Sequence, residues 1–268
     1  MKLAISNLAW GQAEQDEIFS MLPALGVSGV EVAPTKIGSW DSITQPMLAD
    51  FRKKLNGIGL SVSSLQAIFF GNPAAQLLGN ASGFDIMCAH VDKLADIAAE
   101  LGAEVAVFGA PKNRQRGEIE MEVALQMAAE RFAKLGDICQ GRMKIGIEPV
   151  PPFYGSDFIL TAREDLELVK AINHPAIGLH LDTGCVFLGG DAIDDAIREG
   201  AVHLIHFHIA EPELADFSSP KAAHTSAASA LNNVGYDRWL SIEMKESSDP
   251  IKSVTEAIRF VRNTYNDQ

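Results

Sequence analysis

Basic residues are scarce in this chain: Lys and Arg total 22 against 35 Asp and Glu, giving a formal net charge of −13. Affinity for duplex nucleic acid comes largely from Lys and Arg neutralising phosphates, so no nucleic-acid partner is expected. Cysteine is scarcer still. Cys88, Cys139 and Cys185 are three, with no close pair among them, which argues against a disulfide framework and fits a reducing compartment. No run approaches the ~18 apolar residues of a membrane span. The opening MKLAISNLAW lacks the charged segment, apolar run and small-residue cleavage site of a secretory leader. A cytoplasmic protein without a membrane partner is therefore expected. A Gly-rich turn after the first predicted strand is also missing; the chain there reads Asn7, Leu8, Ala9, Trp10 and a lone Gly11. Open sheets that bind dinucleotides normally carry such a turn. Low-complexity tracts and charge blocks are absent too, so nothing marks a linker.

What is present is 268 residues, 47% hydrophobic and 21% charged, enough to bury a large core and close to the ~250 residues of one α/β barrel. Short β-branched runs alternate with longer segments of helical period. Strands are predicted to begin near Leu3, Gly29, Leu60, Glu104, Met143, Ile177, Leu204 and Trp239. Helices are predicted over 16–25, 45–56, 84–101, 118–139, 162–172, 192–199, 220–234 and 250–265. Gly26, Gly102, Gly141 and Gly235 follow several of them, as residues that accept the left-handed cap conformation. Strict strand-helix alternation implies a parallel sheet with right-handed crossovers, and eight units close it into a barrel. The predicted fold class is α/β, a (β/α)8 TIM barrel forming one domain over 1–268.

In this architecture chemistry gathers where the strands end, and alternation along each strand decides which side chains point to the axis. In MKIGIEP, Ile145 and Ile147 suit the outer helices, leaving Gly146 and Glu148 inward. In IGLHLDTG, Ile177, Leu179 and Leu181 face out while Gly178, His180 and Asp182 face in. LIHFHIAEP sends Ile205, Phe207 and Ile209 out, with His206 and His208 in; WLSIEM sends Leu240, Ile242 and Met244 out, with Ser241 and Glu243 in. Glu148, Asp182, His208 and Glu243 therefore end four successive strands. One inward Glu or His in a barrel is ordinarily a hydrogen-bonded core residue. Four in phase are different, because three carboxylates so close repel unless a cation neutralises them. Three oxygen donors and one imidazole suit Mn2+, Mg2+ or Co2+, with Zn2+ admissible although structural zinc favours thiolates.

Other polar residues are candidates for substrate contact. Lys112, Asn113, Arg114 and Arg116 follow the fourth strand in FGAPKNRQR. They form either a solvated basic loop or a receptor for phosphate or carboxylate, and in so acidic a chain they would steer an anion inward. His180 and His206 lie one inward position below the ligands and read as support or core, with His180 a candidate contact. Gln66 and Glu31 are placed to meet hydroxyls or to satisfy one another, and His224 is placed as an acid, a substrate contact or a helix-start surface residue. Trp10, Phe69, Phe70, Tyr154 and Phe158 stand near strand ends, where aromatic faces cover a sugar or simply pack. The connection FFGNPAAQLLGNASGF is long enough to serve as a lid.

These motifs carry a resemblance over essentially the whole chain, tightest in IGIEP, HLDTG, HFHIAEP and LSIEM. The chain resembles the sugar phosphate isomerase/epimerase group of xylose-isomerase-like barrels, which includes ketose 3-epimerases, hydroxypyruvate isomerases and inosose dehydratases. The resemblance implies that Glu148, Asp182, His208 and Glu243 bind the metal and that Glu148 and Glu243 are the catalytic acid and base. It also implies differences. Positions that hold substrate oxygens in those epimerases, through a histidine and an arginine, are Cys185 and Leu214 here, and Tyr154 stands where a second glutamate is common.

The function expected is a metal-dependent isomerase or epimerase of a small sugar, sugar phosphate or related polyhydroxy carbonyl compound, acting by proton transfer. The alternative is a metal-dependent dehydratase of a keto-inositol or keto-sugar. An endonuclease IV-like repair enzyme and a non-catalytic sugar-binding barrel rank below; the repair enzymes use histidines at the second and third strand ends that this chain lacks. The expected partner is a small carbohydrate, with a homo-oligomer left open.

Overall fold

The computed structural model describes residues 1–139 and 141–265; residues 140 and 266–268 of the expected domain lie outside the described residues. Eight strands, β1 (Lys2–Ser6), β2 (Gly29–Val32), β3 (Ser61–Leu65), β4 (Val105–Phe108), β5 (Lys144–Ile147), β6 (Ile177–Asp182), β7 (Leu204–Ala210) and β8 (Trp239–Glu243), close into a parallel barrel in chain order. β8 returns to β1 through Leu3↔Leu240 and Ala4↔Ser241. Each predicted strand start falls within a residue of the observed one.

Around the barrel lie α1 (Gln15–Met21), α2 (Gln45–Gly57), α3 (Ala81–Leu101), α4 (Met121–Cys139), α5 (Ala162–Ile172), α6 (Thr183–Gly189), α7 (Ile193–Gly200), α8 (His224–Asn233) and α9 (Pro250–Tyr265). α1 is shorter than expected because Pro23, which has no N–H to continue the helix, opens a separate 3-10 turn over Pro23–Leu25. The four glycines expected at helix ends all take positive φ, between +70° and +81°. The eight predicted helices become nine among the described residues. The extra one, α6, starts directly at the end of β6, where the Asp182 carboxylate caps it by accepting from Cys185 N at 2.6 Å. Its seven residues, TGCVFLG, are too few to show a helical period.

Ile145, Ile147, Leu179, Leu181, Phe207, Ile209, Leu240 and Ile242 are buried in one core between barrel and helices, as alternation requires. Ile205 is the exception and corrects the expected outward assignment. The β6–β7 register runs Leu179↔Leu204 and then His180↔His206, so Ile205 is an extra residue in a bulge, which breaks the two-residue alternation. Its side chain turns inward beneath Gly178 and Gly146. Gly178 is needed there. A Cβ on Gly178 would stand 2.6 Å from Ile205 Cγ2 and 3.0 Å from the His203 carbonyl oxygen. Gly178→Ala is expected to cost about 1–3 kcal/mol by overpacking, read as a lower urea midpoint at constant slope.

A second bulge serves the site. Between Val30↔Val62 and Glu31↔Ser64, β3 carries one extra residue, Ser63. This sets Ser64 Oγ to donate to Glu31 Oε2. No described helix is long and apolar enough to cross a membrane.

Candidate metal centre

Four strand ends bring the predicted donors together. Glu148 directly follows β5, its N–H bonding the Phe108 carbonyl at 3.2 Å, so the ladder continues one residue and fixes the side chain. Asp182, His208 and Glu243 come from β6, β7 and β8. One donor atom from each of the four lies within 4.8 Å of the others. His208 Nδ1 is 3.2 Å from Glu243 Oε2 and 3.7 Å from Asp182 Oδ2.

The electrostatics call for a cation. Burial, then the charges of Asp182 and Glu243, push Glu148 well above the usual carboxylate range. Burial and then Glu243 push Asp182 up to about 7. Asp182 Oδ2 is buried without a hydrogen-bond partner, while Oδ1 caps α6. An orphaned carboxylate oxygen among two more carboxylates and an imidazole fits a divalent ion held by three oxygens and one nitrogen.

Behind the donors, Glu31 holds the imidazole. It is fully buried; its Oε1 lies 2.7 Å from His208 Nε2 and its Oε2 lies 2.8 Å from His206 Nε2. Burial alone would raise its pKa, but the His208 charge and the hydrogen bonds from both histidines outweigh that and hold it well below normal. With the Nε2 edge turned to a carboxylate, Nδ1 is left for the metal. Glu31→Gln is expected to weaken Mn2+ binding about 10–100-fold at unchanged stoichiometry, measured by titration calorimetry.

A cavity of about 560 Å3 opens over Glu148, His208 and Glu243 and is also lined by Gln66 and Lys112. The other expected contacts fall elsewhere. The Gln66 amide is already committed, donating to Glu243 Oε1 at 2.6 Å and Glu31 Oε1 at 3.3 Å and accepting from Ser6 Oγ, so it orients Glu243. His180 is buried beneath the donors, its ring 4.2 Å from that of His208 and its Nε2 3.6 Å from Glu148 Oε1. Burial, then His208 and His206, keep it neutral.

Two expectations need correction. Arg114 does not sit in a solvated loop at the entrance: it is 1% exposed, near the buried Asp165 and then Glu148, whose charges oppose the effect of its burial. His224 does not reach the cavity, because its Nε2 pairs with Glu211 Oε1 at 2.6 Å and its Nδ1 with the Tyr265 hydroxyl at 2.9 Å. Tyr154 stands close enough to Asp182 and Glu243 for their charges to add to the effect of burial and Cys185 in raising its pKa, and its hydroxyl accepts from Glu213 N at 3.0 Å. The connection after β3 is anchored as well. Asn113 Nδ2 donates to the carbonyls of Asn72 and Ala75, and Arg131 to those of Leu77 and Gly79, which ties this segment to α4 and to the loop after β4.

One residue escaped the sequence reading. A Cβ on Gly109, just after β4, would lie 2.2 Å from Glu148 Oε2. Only glycine leaves that carboxylate its place, and the signal was a glycine directly following a strand whose neighbour ends in Glu148.

A family model described as xylose isomerase-like TIM barrel matches residues 19–264. The chain belongs to this family. A ketose 3-epimerase of Arthrobacter globiformis is 24% identical over 185 residues, 66% of this chain and 62% of its own length. This xylose isomerase-like barrel thus spans less than two thirds of that relative. D-psicose 3-epimerase of Clostridium cellulolyticum H10, solved with D-tagatose, superposes with a TM-score of 0.85 at 16% identity, covering 99% of both chains. The IolI protein, solved with a bound zinc atom, superposes with a TM-score of 0.73 at 18% identity, covering 100% of this chain and 97% of its own. At these identities the superpositions speak to the fold.

Proposed function

We propose that this protein is a divalent-metal-dependent isomerase or epimerase of a small sugar or related carbonyl compound. The observation that carries the reading is the pairing of Glu148 and Glu243, from β5 and β8, on one cavity within one donor cluster. The ketose 3-epimerase relative and the epimerase superposition support it.

Glu148, Asp182, His208 and Glu243 would hold the ion. Mn2+, Mg2+ or Co2+ suit this donor set, and the zinc of the IolI neighbour keeps Zn2+ in view. When bound, the ion supplies positive charge to adjacent carbonyl and hydroxyl oxygens as a proton leaves carbon. The protein does the rest. One of the two glutamates accepts the proton and the other delivers one from the opposite face, so inversion needs both. Gln66 holds the Glu243 carboxylate in register, Gly109 leaves room for that of Glu148, and Glu31 orients His208.

The test is deuterium uptake from solvent into ketoses, sugar phosphates and keto-inositols with Mn2+ present, followed by NMR. Uptake at the carbon beside the carbonyl, abolished by a chelator, is expected. Water loss with a new enone absorbance would reassign the protein to the dehydratases, and silence across the panel would reject proton transfer altogether.

A further inference from the structure

Three of the four donors are held in place by a neighbour, and one is not. Asp182 accepts from Cys185 N at 2.6 Å, His208 Nε2 lies 2.7 Å from Glu31 Oε1, and Glu243 accepts from the Gln66 amide at 2.6 Å. The Glu148 side chain makes no hydrogen bond among the described residues, and the basic nitrogen nearest to it is His180 Nε2, 3.6 Å from its Oε1. A carboxylate that holds an ion and moves a proton at one carbon needs a partner to fix its orientation.

His180 has the complementary lack. It is fully buried, and neither of its ring nitrogens has a hydrogen-bond partner. The His206 carbonyl favours its N–H without coming within bonding reach. An unpaired N–H in a closed interior costs stability that an apolar side chain would not. The ring is nevertheless well placed, stacked on that of His206 with centroids 5.3 Å apart and edge-on to that of His208 at 4.2 Å. Arg114 is the other buried cation whose charge reaches Glu148, but it forms no ion pair with it and turns Nη2 to the Ile159 carbonyl at 3.4 Å. The two oxygens of Glu148 are also distinct. Oε1 lies on the His180 side, and Oε2 lies against Gly109, on the wall of the cavity that Glu148 and Gly109 both line.

We propose that His180 is the positioning residue for Glu148: when the donor site is loaded, Nε2–H of His180 donates to Oε1 and leaves Oε2, beside Gly109, as the working oxygen. This rests on the function proposed above and deepens it. The gap must close by about 0.5 Å to reach a normal N–H···O length, a tightening common when a catalytic site passes from empty to occupied. An orphaned histidine is thereby explained as a donor whose acceptor arrives with the ion and substrate.

The test is Mn2+ affinity, measured calorimetrically for the natural chain, His180→Gln, His180→Asn and His180→Leu. Glutamine carries its amide nitrogen close to the position of imidazole Nε2, whereas asparagine reaches only that of Nδ1. His180→Leu and His180→Asn are expected to weaken Mn2+ binding about 10-fold, and His180→Gln to stay within about 3-fold of the natural chain. The loss in His180→Leu should vanish when Glu148→Ala is also present and persist beside Glu243→Ala. In turnover the same order is expected in kcat, with KM little changed, and urea midpoints of the metal-free variants check that each folds. Unchanged affinity in His180→Leu, rescue by asparagine as good as by glutamine, or an equal loss beside Glu148→Ala would overturn the proposal and leave the metal centre standing. Failure of the natural chain to bind Mn2+ would instead remove the centre itself, and the proposal with it.

Discussion

Glu148→Gln and Glu243→Gln are each expected to lower epimerisation or isomerisation by about 10²–10⁴-fold, the usual contribution of a positioned acid or base. Glutamine keeps an oxygen donor and nearly the same volume, so each variant should fold and retain weakened metal binding, which metal analysis checks. The two variants should also differ in a diagnostic way. If the glutamates act on opposite faces of one carbon, each variant loses deuterium uptake from one epimer while keeping uptake from the other. Loss from both epimers in one variant and full activity in the other would mean a single base, and would convert the reading from epimerase to aldose-ketose isomerase. Full activity in both would remove these carboxylates from the chemistry.

The barrel and its four donors were legible because each rests on a strong local rule. Two-residue alternation in β5, β6 and β8 puts Glu148, Asp182 and Glu243 on the axial face, and buried isoleucines and leucines hold the opposite face against the helices. The rule failed at Ile205, where a bulge adds a residue. No local pattern encodes a bulge, since it depends on register against the neighbouring strand. The outer contacts were less legible for a related reason. Arg114 and His224 follow strands, as substrate-binding residues do, but Arg114 faces Asp165 on α5, and His224 pairs with Glu211 at the other end of its own loop and with Tyr265 on α9. Whether a polar side chain in such a loop faces solvent or a buried counter-group is a tertiary outcome. Glu31 was visible as an acid placed to meet hydroxyls or Gln66, yet its role emerged only when both of its oxygens were seen on histidines of β7.

Metal removal should make the protein less stable as pH rises, the reverse of ordinary acid denaturation. Asp182 has an ordinary value of 3.8 and is pushed up to about 7 by burial and Glu243, and Glu148 is raised in the same direction. Between these limits the native state holds protons that the unfolded chain has lost, so unfolding free energy falls with increasing pH. A rise from 3.8 to about 7 corresponds to roughly 4 kcal/mol, fully developed once pH exceeds the folded value. The measurement is urea unfolding in chelator at several values from about pH 5 to 8, for the natural chain and for Asp182→Asn. Because other carboxylates titrate in both proteins, the difference between the two curves isolates this group: the natural chain should lose ground to the variant steadily up to about pH 7. Mn2+ should reverse the ordering, since an ion that binds only the folded state stabilises by about 2.7 kcal/mol at a hundred times its Kd, and Asp182→Asn gives up most of that gain. Parallel curves without metal would mean that the three carboxylates do not repel one another, and the electrostatic case for a cation at this barrel mouth would fall with them.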